Sequence, residues 1–282
     1  MSAIRRVTRA VIPAAGKGTR LFPLTKAVPK ELMPIGRHPI LEHVMEEAAR
    51  CGIAEALFVI SEEKTAIRTH FGAGANGIRF DYVMQPEQRG LADAIHCSRD
   101  WVGRDPFAVL LADSIIQTQR ADPPFARVLD CFARNPAQCV ILVQETRPEE
   151  LSRYGIVRPI LRQAQDESGW DKGEMGCYRE AAFEIDRVFE KPRQDEAPSA
   201  YAVAGRYVFD PVIFEHIERT SAGALGEYQI SDSINLMLEA GGRGWCVPLG
   251  AGEVRIDIGT FETYFEAFQV ELERLSRPQE VG

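Results

Sequence analysis

The chain has 282 residues, is 45% hydrophobic and carries a formal net charge of −8. That apolar content suffices for one large α/β domain, or a domain with an appended lobe, without disulfide staples. The acidic balance excludes a general nucleic-acid partner, since neutralising phosphates along a duplex needs an excess of cations on one face. The apolar runs are short and interrupted and no apolar signal core follows Met1 to Arg6, so no membrane partner is expected and the location expected is cytoplasmic. Six cysteines, at 51, 97, 131, 139, 177 and 246, form no C-x-x-C pair and read as reduced thiols, mostly in the core.

Val7 to Ala15 is rich in β-branched and small residues and ends at Gly16, the pattern of a buried strand closed by a tight turn. Gly16 and Gly18 lack a Cβ, which permits positive φ and lets their N–H groups come close to a ligand. Arg20, Lys26 and Lys30 follow on a segment stiffened by Pro23, Pro29 and Pro34. A strand, a glycine loop and a set of cations make a phosphate cradle. It is not the dinucleotide fingerprint, because Leu21 stands where G-x-G-x-x-G needs its third glycine, and it fails the Walker A spacing as well.

Pro39 occupies a helix N1 position, and Ile40, Leu41, Val44, Met45 and Ala48 then repeat at helical spacing until Gly52. Glu55 to Ser61 reads as a second buried strand, Glu62 to Phe71 as a helix and Ile78 to Met84 as a third strand, an alternation that predicts a parallel doubly wound sheet. Gln85 to Ala94 follows at the carboxyl end of that strand, where open α/β sheets place their ligands. The Gln85 amide can accept from a pyrimidine N3–H and donate to a ring carbonyl, although the same stretch also fits a polar turn before a helix from Leu91 to Trp101.

Phe107 to Ile116 is an apolar strand that carries Asp113. A carboxylate there is costly unless it coordinates something or accepts several hydrogen bonds, and a structural aspartate capping a turn is equally compatible with the pattern. Phe125 to Arg134 reads as a helix and Gln138 to Gln144 as a buried strand. Beyond a soft boundary near Arg147, the segments Arg153–Val157, Ala182–Glu190 and Tyr201–Phe209, with a polar stretch from Arg162 to Gly176, predict a more antiparallel region. Gly226 to Asp232 opens a helix that turns Ile230, Ile234, Met237 and Leu238 inward, so Glu227 and Asp232 are either site residues or structural ones. Arg255 to Asp257 is a short strand, and the terminal helix with Phe261, Tyr264, Phe265, Phe268 and Leu272 either packs on its own core or forms a subunit interface. The five histidines show no ligand spacing.

Ala14 to Leu21, taken with Pro29 to Pro34, resembles the signature of the sugar-1-phosphate nucleotidylyltransferases, and the run Thr25 to Glu31 is most similar to that of the bacterial UTP:glucose-1-phosphate uridylyltransferases, the UDP-glucose pyrophosphorylases. The likeness extends from Val11 to about Phe268. It implies a doubly wound, Rossmann-like mixed α/β sheet of the nucleotide-diphospho-sugar transferase type, with a β-rich sugar-binding region. Residues 1–146 would form the nucleotide-binding half, 147–260 the sugar-phosphate-binding half with the second metal ligand, and 261–282 a C-terminal helix.

The same likeness implies that Ala14, Ala15, Gly16 and Gly18 bind the nucleotide, with Gln85 and Gly90 at the base. Gly155, Glu190 and Gly205 would meet the sugar, and Asp113 and Asp257 would hold Mg²⁺. Arg20 is assigned to the β/γ phosphates, Lys30 to the α-phosphate and Lys191 to the sugar phosphate. The implied reaction makes UDP-glucose and pyrophosphate from UTP and glucose 1-phosphate by in-line attack of the sugar phosphate on the α-phosphorus. Its rivals are a glucose-1-phosphate thymidylyltransferase or cytidylyltransferase, and a non-catalytic nucleotide-sugar-sensing paralogue. The expected partners are a nucleoside triphosphate, a sugar 1-phosphate and a second copy of the chain.

Overall fold

A computed structural model describes residues 5–160, 181–223 and 226–276. The first strand, β1 (Arg9–Pro13), shows why the fold is layered: Ala10, Val11 and Ile12 are all fully buried, because both faces of the strand are covered. Successive side chains of a strand point to opposite faces. Ala10 and Ile12 accordingly enter one core and Val11 the other.

Three short pieces follow: β2 (Pro34–Ile35), β3 (His38–Pro39) and α1 (Ile40–Arg50), with Pro39 just ahead of the helix rather than inside it. Then come β4 (Glu55–Ile60), α2 (Thr65–Phe71), β5 (Gly74–Ala75) and β6 (Ile78–Met84). The helix expected from Glu62 begins as a 3-10 turn over Glu62–Lys64. The one expected from Leu91 to Trp101 divides into α3 (Leu91–His96) and α4 (Arg99–Val102), where the Ser98 hydroxyl donates to the Ile95 carbonyl at 2.6 Å and competes with the helical ladder.

The apolar run from Phe107 also divides. β7 (Phe107–Leu110) stays in the main sheet, while β8 (Ser114–Gln117) leaves it for an antiparallel pairing of its own. Next are α5 (Pro124–Arg134), β9 (Cys139–Glu145), β10 (Gly155–Pro159), β11 (Phe183–Glu190), β12 (Tyr201–Phe209), α6 (Ile213–Arg219), α7 (Ile230–Glu239) and β13 (Gly244–Pro248). Last come β14 (Val254–Asp257), which is the partner of β8, and α8 (Phe261–Ser276).

The main sheet has ten strands in the order β10-β11-β13-β9-β12-β7-β1-β4-β6-β5. β7, β1, β4 and β6 run parallel, whereas β12 lies antiparallel between β7 and β9, and β10 and β11 are antiparallel. The sheet is therefore mixed and doubly wound, as expected. Phe125, Val128 and Phe132 of α5 join Val44 and Met45 of α1 on one face; Ile95 of α3, Phe214 of α6 and Ile234 of α7 cover the other.

A smaller core lies under the loop between β1 and α1, where Leu21, Met33, Ile35 and Ile40 meet Ile258, Ala267, Phe261 and Phe268. One face of α8 thus packs on its own chain, while Phe265 and Leu272 stand exposed on the other. The five described cysteines are free, and burial pushes the Cys131 thiol up to about 11 and the Cys51 thiol to about 12. Cys177 and the polar stretch 162–176 lie outside the described residues. Among the described residues no helix is long and apolar enough to cross a membrane.

Candidate active site

The loop after β1 turns sharply at Gly18, whose φ is +64° and whose carbonyl accepts a 2.8 Å hydrogen bond from the Thr25 hydroxyl. A Cβ on Gly18 would press on Thr25 at 3.2 Å, so the glycine serves both the turn and the packing. Gly16 does not use the positive φ that its missing Cβ permits, and a Cβ there would meet nothing within 4 Å, so Gly16 offers open space beside the backbone instead of a turn. The N–H of Ala14 donates to Val59 at 2.8 Å and thereby ties the loop to the sheet.

Lys30 follows on a 3-10 turn (Lys30–Leu32), and its Nζ donates to Asp113 Oδ2 at 2.5 Å. Burial pulls the ammonium toward neutrality, yet the Asp113 charge and the adjacent Glu31 outweigh it and hold Lys30 above its ordinary value. Asp113 mirrors this: burial favours its neutral acid, but Lys30, and after it Arg255, hold the carboxyl below the usual range. Beneath them Glu31 is buried and accepts from Lys64 Nζ through both oxygens at 2.8 Å.

Ala15, Gly16, Gly18 and Lys30 line one cavity of about 510 Å³ together with Gln85, Gly90 and Asp113. These residues span the chain from the first loop to the end of β7, and each was expected at the nucleotide or the metal. Ala14 is buried behind them and is not part of the lining. Gly90 has φ +113°, and a Cβ would fall 2.6 Å from the Tyr228 carbonyl, so the close pass of the Tyr228 backbone demands glycine there. Glu227 joins the lining, whereas Asp232, whose carboxyl burial pushes up, does not. A larger cleft, about 800 Å³, lies at Arg68, Tyr82 and Trp101 and contains none of the expected residues.

The second half of the expected site reaches Asp113 through β14. Asp257 pairs across to Ser114, and the Ile258 N–H donates to the Asp113 carbonyl at 2.9 Å, so the two aspartates sit on adjoining backbone. Arg255 lies 3.0 Å from Asp257 Oδ1, with its guanidinium 4.3 Å above the Tyr154 ring. Tyr154 in turn accepts from the Lys191 N–H at 3.1 Å, and Gly155 pairs with Glu190. Glu190 accepts from the Ser231 hydroxyl at 3.0 Å and has Lys191 Nζ at 3.7 Å. Gly205, with φ +78°, passes against Leu111, which lines the cavity. Arg20 lies outside the lining, but its guanidinium rests over Gly259, where a Cβ would stand 3.2 Å away.

Residues 9–274 match the family described as nucleotidyl transferase. The chain belongs to that family. It is 33% identical over 258 residues to the UTP–glucose-1-phosphate uridylyltransferase of Bacillus subtilis, covering 84% of this chain and 82% of that one. Over 256 residues it is 34% identical to the protein of the same name in Staphylococcus haemolyticus, covering 83% and 82%. Among solved structures, a UDP-glucose pyrophosphorylase complexed with UDP-glucose superposes with a TM-score of 0.82 at 27% identity, over 95% of this chain and 99% of that one. A UTP-bound UGPase from Acinetobacter baumannii gives 0.81 at 25% identity, over 97% and 95%.

Two arginines that the sequence analysis assigned to no role adjoin the segment that carries Asp113. Arg255 is two residues before Asp257 on one strand, so the period-two rule puts both on the same face; that spacing was the available signal. Arg206 is fully buried and donates to Glu47 Oε2 at 2.8 and 3.0 Å, to the Ser114 carbonyl at 2.8 Å and to the Leu111 carbonyl at 3.3 Å. It thereby holds both ends of the segment that carries Asp113. Its partner cannot be read locally, because Glu47 lies 159 residues away.

Among the described residues no group of three or more His, Cys, Asp or Glu side chains could hold a metal ion. Asp113 Oδ1 receives no side-chain hydrogen bond among the described residues, and Asp257 lies on the adjoining strand. A donor set of one or two carboxylates completed by substrate oxygens is the habit of Mg²⁺, so these residues fit that ion.

Proposed function

We propose that the chain is a UTP:glucose-1-phosphate uridylyltransferase, which makes UDP-glucose and pyrophosphate by in-line attack of the sugar phosphate on the α-phosphorus of UTP. The nucleophile is already an anion at neutral pH, so no general base is required. The barrier is electrostatic: unit charges ~4 Å apart repel by about 4 kcal/mol at an effective dielectric near 20. Cations placed in advance where charge concentrates lower that cost at no reorganisation penalty.

The observation that carries this reading is the Lys30–Asp113 pair facing a cavity that the glycine loop and Gln85 also line. In the proposal Lys30 meets the α-phosphate, Arg20 the β/γ phosphates and leaving pyrophosphate, and Lys191 the sugar phosphate. Ala15, Gly16 and Gly18 present backbone to the nucleotide, Ala14 anchors their loop, and Gln85 and Gly90 face the base. Gly155, Glu190 and Gly205 border the sugar. Asp113 and Asp257 would hold Mg²⁺, which when bound supplies Lewis-acid neutralisation of phosphate oxygens.

On this reading residues 1–146 serve the nucleotide, 147–260 the sugar phosphate, and 261–282 add the terminal helix. We also infer a cytoplasmic homo-oligomer; the free thiols support the location, and exposed Phe265 and Leu272 on α8 support the assembly. The test is pyrophosphate release with UTP and Mg²⁺ across glucose, galactose and N-acetylglucosamine 1-phosphates. Glucose 1-phosphate is expected to give the highest kcat/KM, and a folded protein that releases pyrophosphate with none of the three refutes the proposal.

A further inference from the structure

Gln85 is 3% exposed, lines the cavity from the end of β6, and carries an amide with two chemically opposite ends. Its Nε2 donates to Asp93 Oδ2 at 2.7 Å and to the Gly90 carbonyl at 3.3 Å. A carboxylate and a carbonyl are acceptors only, so the amide cannot turn over without bringing its oxygen against both of them. The NH₂ is thereby committed to the protein. The atom left for a ligand is Oε1, to which no group donates among the described residues.

Asp93 is itself held in place. Its other oxygen, Oδ1, accepts from Arg89 Nη2 at 2.7 Å, and the Arg89 guanidinium stands 5.6 Å over the Tyr228 ring. Asp93 falls on the first turn of α3, so it approaches Gln85 from the helix while the Gly90 carbonyl approaches from the loop before it. Glutamine alone would read either pyrimidine edge by rotating its amide. Glutamine beside a tethered carboxylate reads one.

We propose that Asp93 fixes the polarity of the Gln85 amide and so makes the pocket accept a nucleobase with an imide N–H, uracil or thymine, and refuse cytosine. Uracil and thymine present N3–H as a donor, which Oε1 accepts. Cytosine presents a bare N3 lone pair, which faces the Oε1 lone pairs and leaves both groups unpaired in a buried site. Sites built around one hydrogen bond commonly reject the analogue that lacks it by about 10²-fold or more. Asp93 acts through Gln85 and is a positioning residue. The proposal rests on the reading of this cavity as the nucleoside pocket.

The test measures kcat/KM for UTP, dTTP and CTP, each with glucose 1-phosphate, in the unaltered protein and in Asp93→Asn and Asp93→Ala. The unaltered protein should prefer UTP over CTP by roughly 100-fold or more. Asp93→Asn can offer its own amide N–H to Gln85, leaving only the longer Gly90 contact against the flip, so UTP should fall, CTP should rise, and the ratio should close to within about tenfold. Asp93→Ala should relax the ratio in the same direction, and dTTP should track UTP in every variant because it shares the imide. Calorimetric titration with UDP and CDP reads the same preference without turnover, and thermal melting checks that each variant is folded.

A merely structural role for Asp93 would lower all three nucleotides together; an unchanged UTP/CTP ratio in both variants therefore overturns the proposal while leaving the enzyme assignment standing. Ready use of CTP by the unaltered protein overturns it equally. Failure of all three nucleotides to turn over or bind would instead reject the pocket assignment, and the proposal with it.

Discussion

Lys30 and Asp113 each keep a charge that burial opposes, and each does so because the other is 2.5 Å away. In the proposed function Lys30 exchanges this contact for the α-phosphate, and its charge is in place before substrate arrives. Lys30→Ala and Asp113→Asn should each slow turnover by roughly 100-fold or more with the melting profile of a folded protein, as steady-state rates and circular dichroism would show. Near-normal rates in both variants would remove the pair from the chemistry. The sequence made this residue-level picture partly legible. A glycine loop followed by cations speaks of phosphate at short range, and an aspartate in an apolar strand demands a partner. That Lys30 is the partner was not readable, since 83 residues separate them and only the sheet brings them together. Gly90 was expected for reasons of ligand contact; what the structure shows is that the Tyr228 backbone requires a glycine there, which no local pattern reveals.

Among the elements, the departure of β8 from the main sheet matters most for the site. The apolar run from Phe107 reads as one strand because nothing in its composition interrupts it. It breaks at Leu111–Asp113 because β14 pairs with Ser114–Gln117 and because the Arg206 guanidinium collects the Leu111 and Ser114 carbonyls on either side. Both causes lie far off in the chain. Arg206→Ala would leave Glu47 buried without a countercharge, a change that typically costs about 3–5 kcal/mol, and denaturant unfolding should show it. The double variant Arg206→Met with Glu47→Leu replaces the pair by apolar groups and should recover most of that stability. Its activity should stay low, because the carbonyls beside Asp113 remain unheld. Full activity in the stable double variant would mean that Arg206 serves the core alone.

At the scale of the whole molecule, alternation of strands and helices made the doubly wound layers legible, and the antiparallel texture beyond Arg147 forecast the mixed sheet. What could not be read is that β12 returns to lie between β7 and β9, making one continuous ten-stranded sheet from β10 to β5. Stability of the fold should drop in acid. Arg127 and the Gly250 N–H hold the Glu253 carboxyl below its ordinary value against the effect of burial, as Lys30 does for Asp113. A depressed folded-state carboxyl contributes stability that is present above about pH 4 and lost as pH falls through its lower folded value. Urea midpoints should therefore hold between pH 7 and about 5 and drop below about 4. Glu253→Gln should be less stable at pH 7 and show a shallower acid limb; an unchanged limb would take Glu253 out of that account.

In the proposed reaction the cleft bounded by Gly18, Lys30, Gln85 and Asp113 joins a sugar phosphate to the α-phosphorus of UTP. Incubation of the protein with glucose 1-phosphate, Mg²⁺ and UTP labelled at the α-phosphorus shows whether it does. All transferred label should appear in UDP-glucose and none in pyrophosphate. Label in pyrophosphate or free phosphate, or no labelled sugar nucleotide from a folded protein, would contradict it.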